Sequence, residues 1–211
     1  TDIGGFSLNY HKHIHTGEGG ILVTNNDYLA KKMKLIRNHG ETFLHLNKRL
    51  LINNLGHNFR LGEVESAIGI EQLKKLKNIV EKKTETANKL SILLSRLPGI
   101  QTPIVRKFCT HVYYVYPIVL TKNINRKKLI NLLNKMGMQG ISEGYQLLHK
   151  LPIYKNKIAY GKKGFPWNTT KKKYDYSQKL RISEELHKKS FLSFEICLYE
   201  LSSVDIKNIY K

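Results

Sequence analysis

The segment that decides the fold lies between residues 5 and 24 and reads GFSLNYHKHIHTGEGGILVT. Its only lysine, Lys12, precedes a turn that is rich in glycine, with glycines at positions 17, 19 and 20. The apolar, β-branched run at residues 21–24 follows a pair of glycines and predicts a strand. Spacing alone leaves two interpretations open: a surface lysine beside a hairpin, or a lysine whose amine enters an enclosed site.

The second interpretation gives chemical roles to the neighbours of Lys12. An enclosed site favours the neutral form of a lysine amine, which is the form that attacks carbonyl groups. The hydroxyl of Ser7 would donate a hydrogen bond to a phosphate group. Glycines permit positive φ angles and a close approach of the backbone to a cofactor. Glu18 would fix the turn by accepting hydrogen bonds from backbone N–H groups.

Three histidines, His11, His13 and His15, alternate around Lys12 and raise the question of a metal site. In an extended segment they would share one face, and Lys12 would lie on the opposite face. Ligands two residues apart on one strand rarely converge on one ion, and Glu18 is the nearest carboxylate in the sequence. We therefore expect no metal at this position.

The chain has 211 residues and a formal net charge of +20, which suits partners that carry negative charge. Its basic residues are spread along the whole sequence without a nucleic-acid-binding motif, so a nucleic-acid partner is the less favoured alternative. No apolar run reaches the roughly 20 residues that span a bilayer. The two cysteines, Cys109 and Cys197, are too few for a disulfide framework. These features predict a cytoplasmic protein without a membrane partner.

The hydrophobic periodicity predicts helices and strands in alternation and hence an α/β fold. We expect a helix from Asp27, as its N-cap, to Arg37, followed by a polar loop at residues 44–54. One long helix or two joined helices should run from Gly62 to about Leu97. The remaining predicted elements are strands at residues 111–120, 138–143 and 191–199, helices at residues 126–135 and 174–189, and a last short helix capped by Ser202 and Asp205.

Three ordered motifs closely resemble the DegT/DnrJ/EryC1/StrS family of aminotransferases. The first is the Lys12 segment, which resembles that family's cofactor-lysine region. The second is LIRNHG at residues 35–40, and the third is GHNFRLGEVESAIGIEQL at residues 56–73. Three motifs in order are more specific than any one of them. The resemblance is strong through about Leu76 and looser over the rest of the chain.

This resemblance implies the α/β fold of PLP-dependent transferases, which is like that of aspartate aminotransferase (fold type I). Residues 1–80 would form the end of the large PLP-binding domain with a linking helix, and residues 81–211 the small C-terminal α/β domain. The implied cofactor is pyridoxal 5'-phosphate (PLP), with Lys12 as the residue that binds it covalently and Ser7 as a contact of its phosphate. Lysine rather than histidine at position 12 favours transamination over the dehydration that some relatives perform.

The resemblance also indicates three further site residues. Asn58 and Arg60 match the family segment that reaches the neighbouring subunit's cofactor in family dimers. The same two residues equally fit a turn and a solvated side chain before a helix. The stretch GYQLLHKLPIY at residues 144–154 is similar to a family loop near the substrate, which makes His149 a candidate substrate contact.

The activity implied by the resemblance is transfer of an amino group from an amino acid such as glutamate to a nucleotide-linked keto-sugar. It would serve amino-sugar or polysaccharide biosynthesis, and the full-length protein would be a homodimer. Family members place an acidic residue for the PLP ring nitrogen upstream of the lysine segment. We therefore expect this chain to be an incomplete fragment that is inactive alone. A basic nucleic-acid-binding module and a non-catalytic remnant stay open as alternatives.

Overall fold

The computed structural model describes residues 2–41, 55–121, 124–173, 175 and 179–210. Its contacts divide the chain into two compact units, Thr1–Lys82 and Lys83–Lys211, and the division falls inside the longest helix. The assignment of these units to a large and a small domain stays a prediction. The loop predicted at residues 44–54 lies outside the described residues.

The first unit begins with an antiparallel hairpin. Its strands are β1, Gly4–Ser7, and β2, Gly20–Val23, with Gly4 opposite Val23 and Ser7 opposite Gly20. The strand predicted at residues 21–24 is thereby confirmed with a shift of one residue. The partner strand β1 was not predicted, because its two glycines give it weak strand propensity.

A helix, α1, follows the hairpin and occupies Asp27–Arg37, as the periodicity predicted. Its N-cap is Asn26 rather than Asp27, because the Asn26 side chain accepts a hydrogen bond from the backbone N–H of Leu29 at 3.1 Å. Asp27 instead lies in the first turn, where its negative charge suits the positive end of the helix dipole.

The next helix, α2, is Glu63–Leu94 and is unbroken over 32 residues. It therefore forms one long helix and not two joined ones. Its last turns bury Ala87, Leu90 and Leu94 in the second unit. Within the described residues, no helix combines the length and the apolar character that crossing a membrane requires.

The second unit contains a four-stranded sheet. Its strands are β3, Ile100–Gln101; β4, Tyr116–Leu120; β5, Ile141–Ser142; and β6, Phe191–Phe194. The order is β3-β4-β6-β5, and every neighbouring pair is antiparallel. Helix α3, Arg126–Lys135, connects β4 to β5, which run parallel with β6 between them. This is a split β-α-β arrangement, and it confirms the predicted α/β unit.

The core of the second unit lies against one face of this sheet. Alternate residues of β4, namely Tyr116, Ile118 and Leu120, are buried, as expected for a strand with one covered face. They pack with apolar residues of α2, β6 and the last helix; the cluster includes Leu90, Leu94, Leu192, Phe194 and Ile206.

Three strands are shorter than the sequence predicted. The strand expected at residues 111–120 starts only at Tyr116, because Tyr113 has a φ of 52° and its N–H bonds the His111 ring at 2.9 Å. The strand expected at 191–199 ends at Phe194, where the N–H of Ile196 turns back to the Phe194 carbonyl. The strand expected at 138–143 is reduced to β5 after Gly140, which has a φ of 71°.

The remaining helices are short. Three are α-helices: α4 (Pro152–Asn156), α5 (Arg181–Glu185) and α6 (Ser203–Tyr210). Two are 3-10 turns, Leu148–Lys150 and Trp167–Thr169, and one is a π-helical turn, Leu186–Ser190. The helix predicted at 174–189 is therefore only partly present, and its start lies largely outside the described residues. The capping box of α6 is confirmed, since Ser202 and Asp205 exchange side-chain and backbone hydrogen bonds.

Candidate functional site

Lys12 lies on the loop that connects the two strands of the hairpin. Its backbone N–H donates to the carbonyl of Asn9 at 2.9 Å, which closes a tight turn immediately before the lysine. The Lys12 side chain is half-buried. Residues 10–14 form turns and bends and not an extended segment. The prediction that the three histidines lie on one face and Lys12 on the opposite face is therefore wrong.

Two backbone hydrogen bonds close the base of this loop. The N–H of Leu8 donates to the carbonyl of Gly19 at 2.9 Å, and the N–H of Thr16 donates to the carbonyl of Leu8 at 3.0 Å. Leu8 and Thr16 are both buried, so the loop that carries Lys12 grows from a packed base.

Side chains brace the same loop from within. Thr16 Oγ1 donates to the carbonyl of Glu18 at 2.9 Å, and Asn9 Nδ2 donates to Glu18 Oε1 at 2.6 Å. Glu18 therefore braces the turn through the side-chain amide of Asn9 and not, as the sequence predicted, through a backbone N–H. Gly17 has a φ of 85°, a conformation that glycine adopts at low cost.

The loop base also packs against the segment that starts α2. A Cβ added at Gly19 would lie 3.0 Å from Leu61 Cδ1, and one added at Gly69 would lie 3.2 Å from the methyl of Thr16. Both positions therefore favour glycine, because a larger residue would push the loop away from the helix. This contact links the first and third motifs in space.

Ser7 is the last residue of β1 and is exposed. Its hydroxyl oxygen accepts a hydrogen bond from the backbone N–H of Asn9 at 3.2 Å. The hydroxyl hydrogen is not used by this bond, so Ser7 can donate to an acceptor such as a phosphate oxygen. Ser7 ends the strand that leads into the loop of Lys12, so these two predicted site residues belong to the same hairpin.

Asn58 and Arg60 belong to a strip that is hydrogen-bonded to the end of α1. The N–H of His57 donates to the Ile36 carbonyl at 2.8 Å, and the N–H of Phe59 donates to the Arg37 carbonyl at 2.9 Å. Asn58 forms a β-bridge with Asn38, and Arg60 Nη1 donates to Asn38 Oδ1 at 2.8 Å.

These bonds explain why the second and third motifs occur together. A Cβ at Gly56 would overlap the backbone of Gly40, so the two segments can approach this closely only with glycine at position 56. Arg60 is anchored to Asn38 and is not simply solvated, although much of its surface is exposed. The structure thus gives Asn58 and Arg60 a structural role inside one chain.

His149 lies in the second unit, on the 3-10 turn Leu148–Lys150. Its Nε2 is 3.2 Å from Glu184 Oε1, and Lys150 Nζ donates to Glu184 Oε2 at 2.5 Å. The hydrogen bonds from Lys150 and then His149 lower the pKa of Glu184 below the usual glutamate range. Glu184 is therefore ionised at neutral pH.

Three residues of these arrangements were not among the predicted site residues: Thr16, Asn38 and Glu184. Thr16 and Asn38 lie inside the quoted motifs, and their burial is what distinguishes them. Glu184 lies 35 positions from His149, and no local sequence pattern connects the two. Among the described residues, no group of three or more histidine, cysteine, aspartate or glutamate side chains has the geometry of a metal site.

Comparison with known proteins decides the family. Residues 1–190 match the DegT/DnrJ/EryC1/StrS aminotransferase family. The chain belongs to this family. The match covers the Lys12 loop, the strip bound to α1 and the His149–Glu184 pair, so each of these features lies within the family region.

Individual relatives agree with this assignment. The chain is 34% identical over 168 residues to a UDP-4-amino-4,6-dideoxy-N-acetyl-beta-L-altrosamine transaminase of Helicobacter pylori, which covers 74% of this chain and 42% of that protein. It is 30% identical over 156 residues to a GDP-perosamine synthase of Caulobacter vibrioides, with 72% and 41% covered. The chain thus spans less than half of the length of these relatives.

Solved structures show the same fold. The structure of PseC from Helicobacter pylori, an aminotransferase involved in the biosynthesis of pseudoaminic acid, matches 99% of this chain and 51% of its own, with a TM-score of 0.74 and 27% identity. A Brucella abortus aminotransferase of the same family matches with a TM-score of 0.75 and 23% identity. The predicted fold, that of PLP-dependent transferases of this family, is confirmed.

Proposed function

We propose that this chain carries the cofactor-binding lysine of a PLP-dependent aminotransferase acting on a nucleotide-linked keto-sugar. The observation that carries the proposal is the braced loop, which holds a half-buried lysine five residues from an exposed serine hydroxyl. An amine for an aldehyde and a hydroxyl for a phosphate are the donors that PLP requires. The residues present therefore fit this cofactor.

PLP, when bound, supplies an aldehyde carbon that accepts amino groups and a ring that draws electrons away from that carbon. Lys12 Nζ would bind at the aldehyde, leave it when the amino donor arrives, and then move a proton as a general base and acid. The tight turn at Asn9 and the bonds of Thr16 and Glu18 would keep Nζ positioned throughout.

The other predicted site residues would act in the same reaction. Ser7 would donate to the cofactor phosphate, and Asn58 and Arg60 would extend toward the cofactor of a second subunit in a homodimer. His149 would contact the keto-sugar. An amino acid such as glutamate would be the donor, and the reaction would take place in the cytoplasm. The two relatives named for UDP- and GDP-linked sugars support the substrate class.

A nitrogen-transfer assay tests this function. The chain is co-expressed with the N-terminal half of the Helicobacter pylori transaminase, and the purified complex, here called the reconstituted protein, is given PLP, L-[15N]glutamate and a UDP-linked keto-sugar. We expect 15N in the sugar product. Lys12→Ala should lower the rate by roughly 100-fold or more, because general acid–base catalysis by the amine is lost.

Lys31, an exposed lysine of α1, provides the matched control, and Lys31→Ala should retain the wild-type rate. An assembled complex that transfers no nitrogen, while the intact Helicobacter pylori enzyme does so under the same conditions, would contradict the proposal. So would undiminished transfer by Lys12→Ala.

A further inference from the structure

Glu184 makes two different contacts with one turn of the second unit. Its Oε1 lies 3.2 Å from His149 Nε2, and its Oε2 accepts from Lys150 Nζ at 2.5 Å. The two partners are neighbours in sequence, while Glu184 is placed by α5, where its own N–H bonds the carbonyl of Leu180 at 2.9 Å. One carboxylate therefore holds two adjacent side chains of the 3-10 turn.

The charge of Glu184 determines where the hydrogen of the His149 ring lies. An ionised carboxylate only accepts hydrogen bonds, and the pKa of Glu184 is lowered by Lys150 and His149. His149 Nε2 must therefore carry the hydrogen. In the neutral imidazole Nδ1 is then left as an acceptor.

His149 Nδ1 has no hydrogen-bond partner within the described part of the chain, and it is not sealed in the interior. The one buried side-chain nitrogen or oxygen without a partner that the described residues contain is Arg126 Nε. Although the His149 side chain is only 13% exposed, its Nδ1 is therefore open to a solvent molecule or a ligand atom.

We propose that Glu184 is a positioning residue that orients His149 so that Nδ1 accepts a hydrogen bond from a hydroxyl group of the sugar substrate. This inference rests on the proposed function, because it takes His149 as a substrate contact. A neutral Nδ1 requires a donor, and the hydroxyls of a sugar are donors. Phosphate and carboxylate oxygens are acceptors and do not match it, which assigns this position to the sugar and not to the diphosphate of the substrate.

Nitrogen-15 NMR of the imidazole rings tests the inference on the chain by itself, without cofactor. We expect the neutral ring of His149, observed at a pH where the imidazole carries a single hydrogen, to hold that hydrogen on Nε2 and to keep a single orientation. Glu184→Ala should mix the two tautomers and mobilise the ring. Glu184→Gln should give an intermediate result, because an amide has the same shape but also donates.

Glu185 offers the matched control. It neighbours Glu184 and pairs with Arg181 on an exposed face of α5 at 3.2 Å, so Glu185→Ala should leave the His149 signals unchanged. A neutral wild-type His149 ring that carries its hydrogen on Nδ1 would overturn the inference, even if Glu184→Ala fails to fold. Unchanged His149 signals in both Glu184 variants would also overturn it.

A kinetic measurement on the reconstituted protein separates positioning from stability. Glu184→Gln should raise KM for the keto-sugar roughly two- to twelvefold, the equivalent of one neutral hydrogen bond, and leave KM for glutamate unchanged. An equal rise in both KM values would indicate a general structural defect and would contradict the inference. Failure of the proposed function would be recognised by a different result, namely a reconstituted protein in which PLP is not bound to Lys12. The NMR result does not depend on PLP binding.

Discussion

At the scale of single residues, the structure contains a buried lysine whose pKa is shifted by its surroundings. Lys83 is buried where α2 enters the second unit, and its Nζ donates to the carbonyl of Tyr199 at 2.5 Å. Burial lowers the pKa of Lys83, while Cys197 and Glu200 oppose the shift. The folded state therefore binds this proton less tightly than the unfolded chain does.

This difference predicts a pH dependence of stability. Between the lowered pKa of Lys83 and the value of about 10.4 for an unfolded lysine, the unfolded chain holds more protons, so the free energy of unfolding should rise with pH. Lys83→Met should remove this rise. Chemical denaturation of both proteins at a series of alkaline pH values provides the measurement. Parallel pH curves for wild type and variant would show that the Lys83 amine does not titrate as expected.

At the scale of elements, β6 is one of the two inner strands of the sheet in the second unit. Leu192 of β6 is fully buried and lies opposite Ile118 of β4. Its side chain fills the core that α2 and α6 cover. The burial of such side chains supplies most of the stabilisation of a small sheet.

Truncation of this side chain should therefore be costly. We expect Leu192→Ala to lower the free energy of unfolding by about 2–5 kcal/mol, from lost burial and the cavity that remains. Leu132 of α3 is more than half exposed, and Leu132→Ala should change the free energy of unfolding by less than about 0.5 kcal/mol. Urea denaturation measures the free energy of unfolding of both variants. Equal losses of stability would show that Leu192 does not lie in the core.

The elements differ in how well their sequences predict them. Helices α1, α2 and α3 follow from apolar spacing and from stop signals such as Gly40 and Gly137. The strands were predicted too long, because β-branched and aromatic runs continue past the points where a positive φ or a local turn ends the ladder. These endings depend on tertiary contacts that a single sequence does not display.

The features of the candidate site also differ in how well the sequence predicts them. The loop of Lys12 was predictable, because the glycines and Glu18 that shape it lie within a few residues of the lysine. The tie between Arg60 and Asn38 and the pairing of His149 with Glu184 join residues 22 and 35 positions apart. Such pairs become visible only when the fold brings distant segments together.

At the scale of the whole molecule, the first unit leaves much apolar surface exposed. Phe6 and Leu22 of the hairpin are each 60% exposed, and Val64, Ile70 and Leu73 of α2 are also largely exposed. The hairpin has two strands and no further strand paired to it within the described residues. Exposed apolar side chains and an unpaired strand edge of this kind are sites for association.

We therefore expect the isolated chain to bind the dye ANS and to self-associate at high ionic strength, where its net charge of +20 is screened. The double variant Phe6→Ser, Leu22→Thr should reduce both effects. Fluorescence titration and sedimentation velocity provide the measurements. Wild-type dye binding in this variant would mean that the hairpin is not the exposed apolar surface.

The proposed function depends most on the chemistry of Lys12. The reconstituted protein, loaded with PLP and reduced with borohydride, should carry the pyridoxyl group on the peptide that contains Lys12, as identified by mass spectrometry. Lys12→Ala should remove this label and Lys31→Ala should retain it. A label on any other lysine, or one that persists in Lys12→Ala, would contradict the assignment.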